Sequence, residues 1–150
     1  MTNYRESDTP SQEGKTIFIT GANTGIGFEA ARVLAARGAR VLLGCRSEEK
    51  ALGAIGKIKA IKDDADVLWV PLDLTSLASI KAAAAIVSEE SRLDALVNNA
   101  GVMIPPKQKT SDGFELQFGV NHLGHFASVS DTQLHIPPNH TYVYSLHILH

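Results

Sequence analysis

The chain has 150 residues, a formal net charge of −2, a hydrophobic fraction of 44% and a charged fraction of 20%. That length suits one domain, and that balance excludes a disordered chain. With no dense basic run, neither nucleic acid nor an anionic membrane surface is expected as a partner.

The N-terminus, "MTNYRESDTPSQEG", is polar and of mixed charge, without the apolar core of a signal peptide. Residues 1–13 are expected to be a disordered arm. No run approaches the roughly 18 apolar residues of a spanning helix. Cys45 is the single cysteine, so an intramolecular disulfide is excluded and a reducing, cytoplasmic setting is expected.

"KTIFIT" (15–20) is a short β-branched apolar run ending at Gly21, and it predicts a buried strand. In "GIGFEAARVLAARG", Ile26, Ala30, Val33 and Leu34 fall at helical spacing, and Gly38 supplies a stop. "ARVLLGC" (39–45) predicts a second strand. Ser47 can cap the next helix, where Glu48 and Glu49 suit the positive end. That helix turns Ala51, Ile55 and Ile58 to one face, with Gly53 and Gly56 weakening it.

"DVLWVPLD" (66–73) reads as a third strand, and "SLASIKAAAAIV" as a helix burying Leu77, Ile80, Ala84 and Val87. "LDALVNNAG" (93–101) is a fourth strand running into a turn. A helix is predicted over 112–126, opened by Asp112 and Glu115 as a variant capping box. Beyond Phe126 no helical period is evident, and Pro137 and Pro138 interrupt the chain. Only "TYVYSLHIL" has strand-like composition there, and it is expected to pair along "LDALVN" as a makeshift strand.

Strand and helix thus alternate four times. The strands are continuously apolar, as strands covered on both faces should be. Right-handed crossovers give an α/β fold of Rossmann type, a doubly wound parallel sheet of about four strands with an irregular C-terminal tail.

"TGANTGIG" (20–27) joins the first strand to the first helix, with glycines spaced G-x3-G-x-G. Gly21 permits a tight turn, Gly25 a close approach to a pyrophosphate, and Gly27 close packing of helix on strand. The helix N-terminus offers N–H groups and a positive dipole end to phosphate. Asn23, Thr24 and Ile26 lie between these glycines and complete the candidate phosphate loop.

These residues resemble the short-chain dehydrogenase/reductase family, whose hallmark is T-G-x3-G-x-G. The resemblance continues at Asp73–Leu74, at "NNAG" (98–101) and at Asn121 in "VNHLGHF". It is closest to the retinol-dehydrogenase and WW-domain-oxidoreductase-like branch. It covers about residues 14–126, the N-terminal, dinucleotide-binding half of such a fold, and leaves 127–150 as a divergent tail.

Several roles follow from the resemblance. Asp73 contacts the adenine edge, with Leu74 beside it, although Asp73 also reads as a cap before "LTS". Ala100 and Gly101 lie against the ribose, and Asn98 stabilises the sheet beside the cofactor. The second strand ends "LLGCRSEEK", with Cys45 where an acid would select NAD and Arg46 placed to grip a 2′-phosphate. NADP is therefore the expected cofactor rather than NAD, unless Arg46 is an exposed arginine paired with Glu49.

The family transfers hydride between the nicotinamide and an alcohol or carbonyl, using a Ser, a Tyr with a Lys four residues later, and an Asn. The Lys matters because a Tyr near pKa 10 is a poor base at neutral pH. Asn121 matches the catalytic Asn. The residue four after Tyr142 is Leu146, the residue four after Tyr144 is Ile148, and no Lys or Arg follows Lys109. Ser145 follows the tyrosines instead of preceding them.

The expectation is a truncated oxidoreductase half that does not complete catalysis. The alternative is a non-catalytic dinucleotide-binding fragment acting through association with other chains. A small alcohol, carbonyl or lipid substrate is expected only of a longer form. The histidines, including His122 and His125, read as structural, and no metal site is expected.

Overall fold

The computed structural model describes residues 5–133 and the backbone of residues 142–145. Its strands are β1 (Thr16–Thr20), β2 (Arg40–Cys45), β3 (Val67–Pro71), β4 (Ala95–Asn98) and β5 (Tyr142–Ser145). They form one parallel sheet in the order β3-β2-β1-β4-β5. The chain winds outward from β1 to β3, then returns to place β4 on the other side of β1. The reversal between β1 and β4 is where a doubly wound sheet opens a crevice at its carboxyl end.

Helices α1 (Gly25–Ala36), α2 (Glu48–Ile61) and α3 (Leu77–Ser88) make the crossovers. Side chains alternate across the sheet. Ile17, Ile19, Val41 and Leu43 pack with Ala31, Ala35, Ala51 and Ile58 of α1 and α2. Phe18, Leu42, Val70 and Leu96 pack with Ile80 and Val87 of α3. The continuous apolar runs of β1 and β2 are thus covered on both faces. β3 is an edge strand, and its Leu68 is 40% exposed despite the same composition.

The helices turn faces other than the largest residues suggest. In α1 the buried positions are Gly27, Ala31 and Ala35, and Ile26 is 63% exposed. Small residues let the helix sit close on the sheet, which a face of Ile and Leu would hold away. In α2, Ala54 takes the buried place expected of Ile55, and in α3, Leu77 is exposed while Ala83 is buried.

The expected single helix over 112–126 is not formed. Asp112 Oδ2 instead accepts the Leu77 N–H at 2.8 Å, capping the start of α3. Glu115 begins α4 (Leu116–Phe118), its carboxylate accepting the N–H groups of Gln117 and Phe118. Those two bonds hold the Glu115 carboxyl below its ordinary pKa. A π-helix follows at Gly119–Gly124, then α5 (His125–Gln133).

Helix therefore continues past Phe126. Its buried stripe is Gly124, Ser128 and Thr132, small and polar residues that leave no hydrophobic period in the sequence. α5 packs on α3. The backbone of β5 pairs with β4 from Ala95↔Tyr142 to Asn98↔Ser145, so "YVYS" does extend the sheet along "ALVN". Of the expected irregular tail, residues 134–141 and 146–150 lie outside the described residues.

The expected N-terminal arm is held from residue 5 onward. Glu6 meets the Arg32 guanidinium through both oxygens at 3.0 and 2.9 Å, and Arg37 donates to the Glu6 carbonyl. Gln12 is buried, its N–H donating to the Arg37 carbonyl at 2.8 Å. A polar composition does not disclose such pairing. Residues 1–4 lie outside the described part. Among the described residues, no helix is long and apolar enough to cross a membrane.

Candidate functional site

The carboxyl ends of β1, β2 and β4 border a cleft of about 250 Å³. Gly21, Asn23, Arg46, Asp73, Leu74, Ala100 and Gly101 line it, brought together from four separate loops. Thr24, Gly25, Ile26 and Gly27 sit just beyond, at the start of α1. Asn98 is buried within β4, and Asn121 lies in the π-helix beneath the cleft wall.

The phosphate loop has the geometry its glycines require. Gly25 has φ of +59°, and a Cβ there would meet nothing within 4 Å. Open space in a left-handed conformation is what a closely approaching ligand needs. Gly27 is the opposite case, since its missing Cβ would collide with the Asn99 side chain and stand 2.6 Å from the Gly21 carbonyl oxygen. Thr24 is the N-cap residue of α1 but makes no side-chain cap bond. The α1 N-terminus is thus open to an anion. A dinucleotide pyrophosphate fits this cradle.

Thr20 and Asn99, to which the sequence reading gave no role, tie the loops together. The Thr20 hydroxyl oxygen accepts the N–H groups of Asn99 and Ala100, both at 3.0 Å. The Asn99 amide donates to the carbonyls of Thr20 and Gly21 at 3.0 and 3.3 Å. His125 Nε2 lies 3.0 Å from Thr20 Oγ1, and its Nδ1 lies 3.2 Å from the Asn121 carbonyl oxygen. A carbonyl only accepts, so Nδ1 donates to Asn121, and the His125 ring bridges Thr20 to the Asn121 backbone. The leading Thr of the glycine motif was the available signal. Nothing in sequence spacing pointed to His125.

Asn121 spends its side chain on structure. Oδ1 accepts the Val102 N–H, and Nδ2 donates to the Val102 carbonyl, both at 2.8 Å. Gly101 is close enough that a Cβ there would lie 3.3 Å from Asn121 Oδ1. The side-chain amide thus clamps the cleft wall after "NNAG" onto the π-helix.

Asp73 Oδ1 accepts both the N–H and the hydroxyl of Thr75, at 2.9 and 2.8 Å. The helix cap is Ser76, whose hydroxyl accepts the Ser79 N–H. Asp73 therefore shapes a turn at the cleft rim without capping α3. Among the described residues no ion pair joins Arg46 to Glu49, and none involves Arg46 at all. Cys45 also lines the cleft, and burial pushes its thiol up to about 11. Among the described residues, no three His, Cys, Asp or Glu side chains converge on a metal position.

The family model described as short chain dehydrogenase matches residues 15–134. Mouse retinol dehydrogenase 12 is 54% identical over 114 residues, covering 75% of this chain and 36% of that protein. Human retinol dehydrogenase 11 is 50% identical over 121 residues, covering 80% and 38%. The chain thus spans little more than a third of the length of these curated relatives. Among solved structures, an uncharacterised protein of Mycobacterium paratuberculosis superposes with a TM-score of 0.77 at 39% identity, over 90% of this chain and 47% of that one. The RhlG/NADP active-site complex of Pseudomonas aeruginosa superposes with a TM-score of 0.70 at 29% identity, over 83% and 49%.

Proposed function

The chain belongs to the short-chain dehydrogenase family, and on that premise we propose that these residues are the NADP(H)-holding half of an alcohol or carbonyl oxidoreductase, and that alone they bind the cofactor without completing hydride transfer. The bound nicotinamide would supply the hydride chemistry. The chain's own residues hold and orient it: the α1 N-terminus takes the pyrophosphate, Asp73 and Leu74 flank the adenine, and Ala100 and Gly101 admit the ribose.

One observation carries the cofactor choice. The residue after β2 is Arg46, on the cleft and without an ion pair among the described residues, with Cys45 before it where NAD recognition calls for an acid. The reading of incomplete catalysis rests on proton transfer. No tyrosine of the 150 residues is followed at the fourth position by a lysine. A phenol without that cation stays protonated near neutral pH and is a poor base.

The retinol dehydrogenases among the relatives suggest a lipid-like alcohol or aldehyde as the substrate class of a longer form. The test is NADPH consumption by the purified 150-residue chain with retinal and short aldehydes. The expected result is none above the protein-free rate. Turnover typical of a dehydrogenase, on the order of 1 per second or faster, would overturn the incomplete-catalysis reading.

A further inference from the structure

His125 is a buried side chain to which the cofactor cradle gives no direct task. It is 8% exposed and lies outside the lining of the cleft. Its ring nonetheless joins two elements that border the cleft. Nε2 stands 3.0 Å from the hydroxyl oxygen of Thr20, at the end of β1, and Nδ1 donates to the Asn121 carbonyl at 3.2 Å, in the π-helix.

These contacts close a circuit. Thr20 Oγ1 accepts the Ala100 N–H, and the chain runs from Ala100 through Gly101 to Val102. Asn121 holds both backbone groups of Val102, and His125 leads from the Asn121 backbone back to Thr20. Ala100, Gly101 and Val102 line the cleft, and so does Gly21, the residue after Thr20. His125 is thus a cross-link from the start of the phosphate loop to the π-helix, made on the side away from the cofactor.

Gly124, the residue before His125, adds an independent sign. A Cβ there would lie 2.7 Å from the carbonyl oxygen of Leu74, on the cleft rim, and 3.1 Å from that of Gly119. The π-helix is therefore pressed against the cleft at two places, under Leu74 through Gly124 and under Val102 through Asn121. Such π-segments are rare and recur at functional sites.

Resting on the dinucleotide reading above, we propose that His125 is a positioning residue that couples occupancy of the dinucleotide cradle to the setting of the π-helix, and so of Asn121. A pyrophosphate at the start of α1 orders the loop that begins at Thr20. The His125 ring passes that order to the Asn121 backbone, and Asn121 fixes the cleft wall at Val102. Coupling of this kind travels through contiguous hydrogen bonds between packed elements.

The test is amide hydrogen exchange of the 150-residue chain, read residue by residue by NMR, with and without saturating NADPH, beside calorimetric affinities for NADPH and NADH. In the parent, NADPH should slow exchange at 122–125 by about tenfold or more. His125→Leu removes both ring contacts. It should weaken NADPH and NADH alike by about tenfold, the measure of one lost buried hydrogen bond. At saturating NADPH it should show no slowing at 122–125, while the Val102 amide, on the cleft wall, is still slowed and reports that the cofactor is in place. His125→Gln carries an amide to the Nε2 position and should restore the protection. His125→Asn keeps a donor for the Asn121 carbonyl, falls short of Thr20 and should behave as the Leu variant does. Protection of 122–125 in His125→Leu equal to the parent's would overturn the proposal, as would a His125→Gln indistinguishable from the Leu variant, or a parent whose π-helix does not respond to NADPH. Failure of the parent to bind either dinucleotide would sink the cofactor reading and the coupling with it. Equal binding of NADPH and NADH would remove only the NADP preference, and the same protection read with NADH would support the coupling.

Discussion

Asn121 closes two hydrogen bonds on the backbone of one residue, Val102, through Oδ1 to its N–H and from Nδ2 to its carbonyl, each 2.8 Å long. This pair of bonds stands in for a strand ladder at a place where β4 has ended. It fixes the course of the chain after "NNAG" and so the wall of the cleft.

Asn121→Leu should remove both bonds and leave the Val102 N–H and carbonyl half-buried without partners. The expected cost is about 2–4 kcal/mol, from two groups at ~1–2 kcal/mol each. Asn121→Asp keeps the acceptor but turns a carboxylate oxygen toward the Val102 carbonyl at neutral pH, so it should also destabilise, and less so at low pH where the protonated carboxyl can donate. Urea unfolding of the three proteins measures this. Equal stability of the Leu variant and the parent would show that the clamp contributes nothing.

Gly25 and Gly27 should fail in different ways. Gly25→Ala meets no neighbour but must hold φ of +59°, a strain of about 1–2 kcal/mol for an L-residue. It should fold, with a modestly lower melting temperature and a weakened affinity for NADPH. Gly27→Ala drives a methyl into the Asn99 side chain and the Gly21 carbonyl. Overpacking there should cost about 1–3 kcal/mol. Melting curves with and without NADPH separate the two, since only the folded Gly25 variant should lose its ligand-induced shift.

Cys45 is 5% exposed, and burial lifts its thiol from an ordinary 9.0 to about 11. Folding therefore favours the protonated thiol. The associated stability is fully present below pH 9 and is lost as pH rises through 11. Iodoacetamide at pH 8 should leave Cys45 unmodified in the folded chain and alkylate it in urea, as read by mass spectrometry. Rapid alkylation of the folded chain would contradict the buried placement.

The sheet core and the phosphate loop were legible because both rest on local rules. "TIFIT" and "RVLLGC" are apolar without a break, and the sheet covers them on both faces. The glycine spacing 21, 25, 27 needs a strand–loop–helix junction, and one is there. The segment after Phe126 was not legible, because the buried positions Gly124, His125, Ser128 and Thr132 carry no hydrophobic signal, although α5 packs on α3. The docked arm depends on Glu6 reaching Arg32 across 26 positions, which no local pattern reports. Asn121 was picked out by motif, but its partner Val102 was not, because a side-chain clamp on backbone has no residue-type signature.

Ser145 shows what composition can report. Its place after the tyrosines argued against a catalytic serine, and the strand-like composition of "TYVYSLHIL" pointed to pairing along "LDALVN"; its backbone does pair with Asn98 at the cleft end of the sheet.

The central claim is that the cleft holds NADP(H) and that Arg46 selects it. Calorimetric titration of the 150-residue chain and of Arg46→Ala, each with NADPH and NADH, tests this most directly. The account predicts saturable NADPH binding by the parent, tighter than NADH by at least about tenfold, with Arg46→Ala erasing that difference through loss of one guanidinium–phosphate contact. Equal affinity of the parent for the two cofactors, or an unchanged preference in Arg46→Ala, would contradict it.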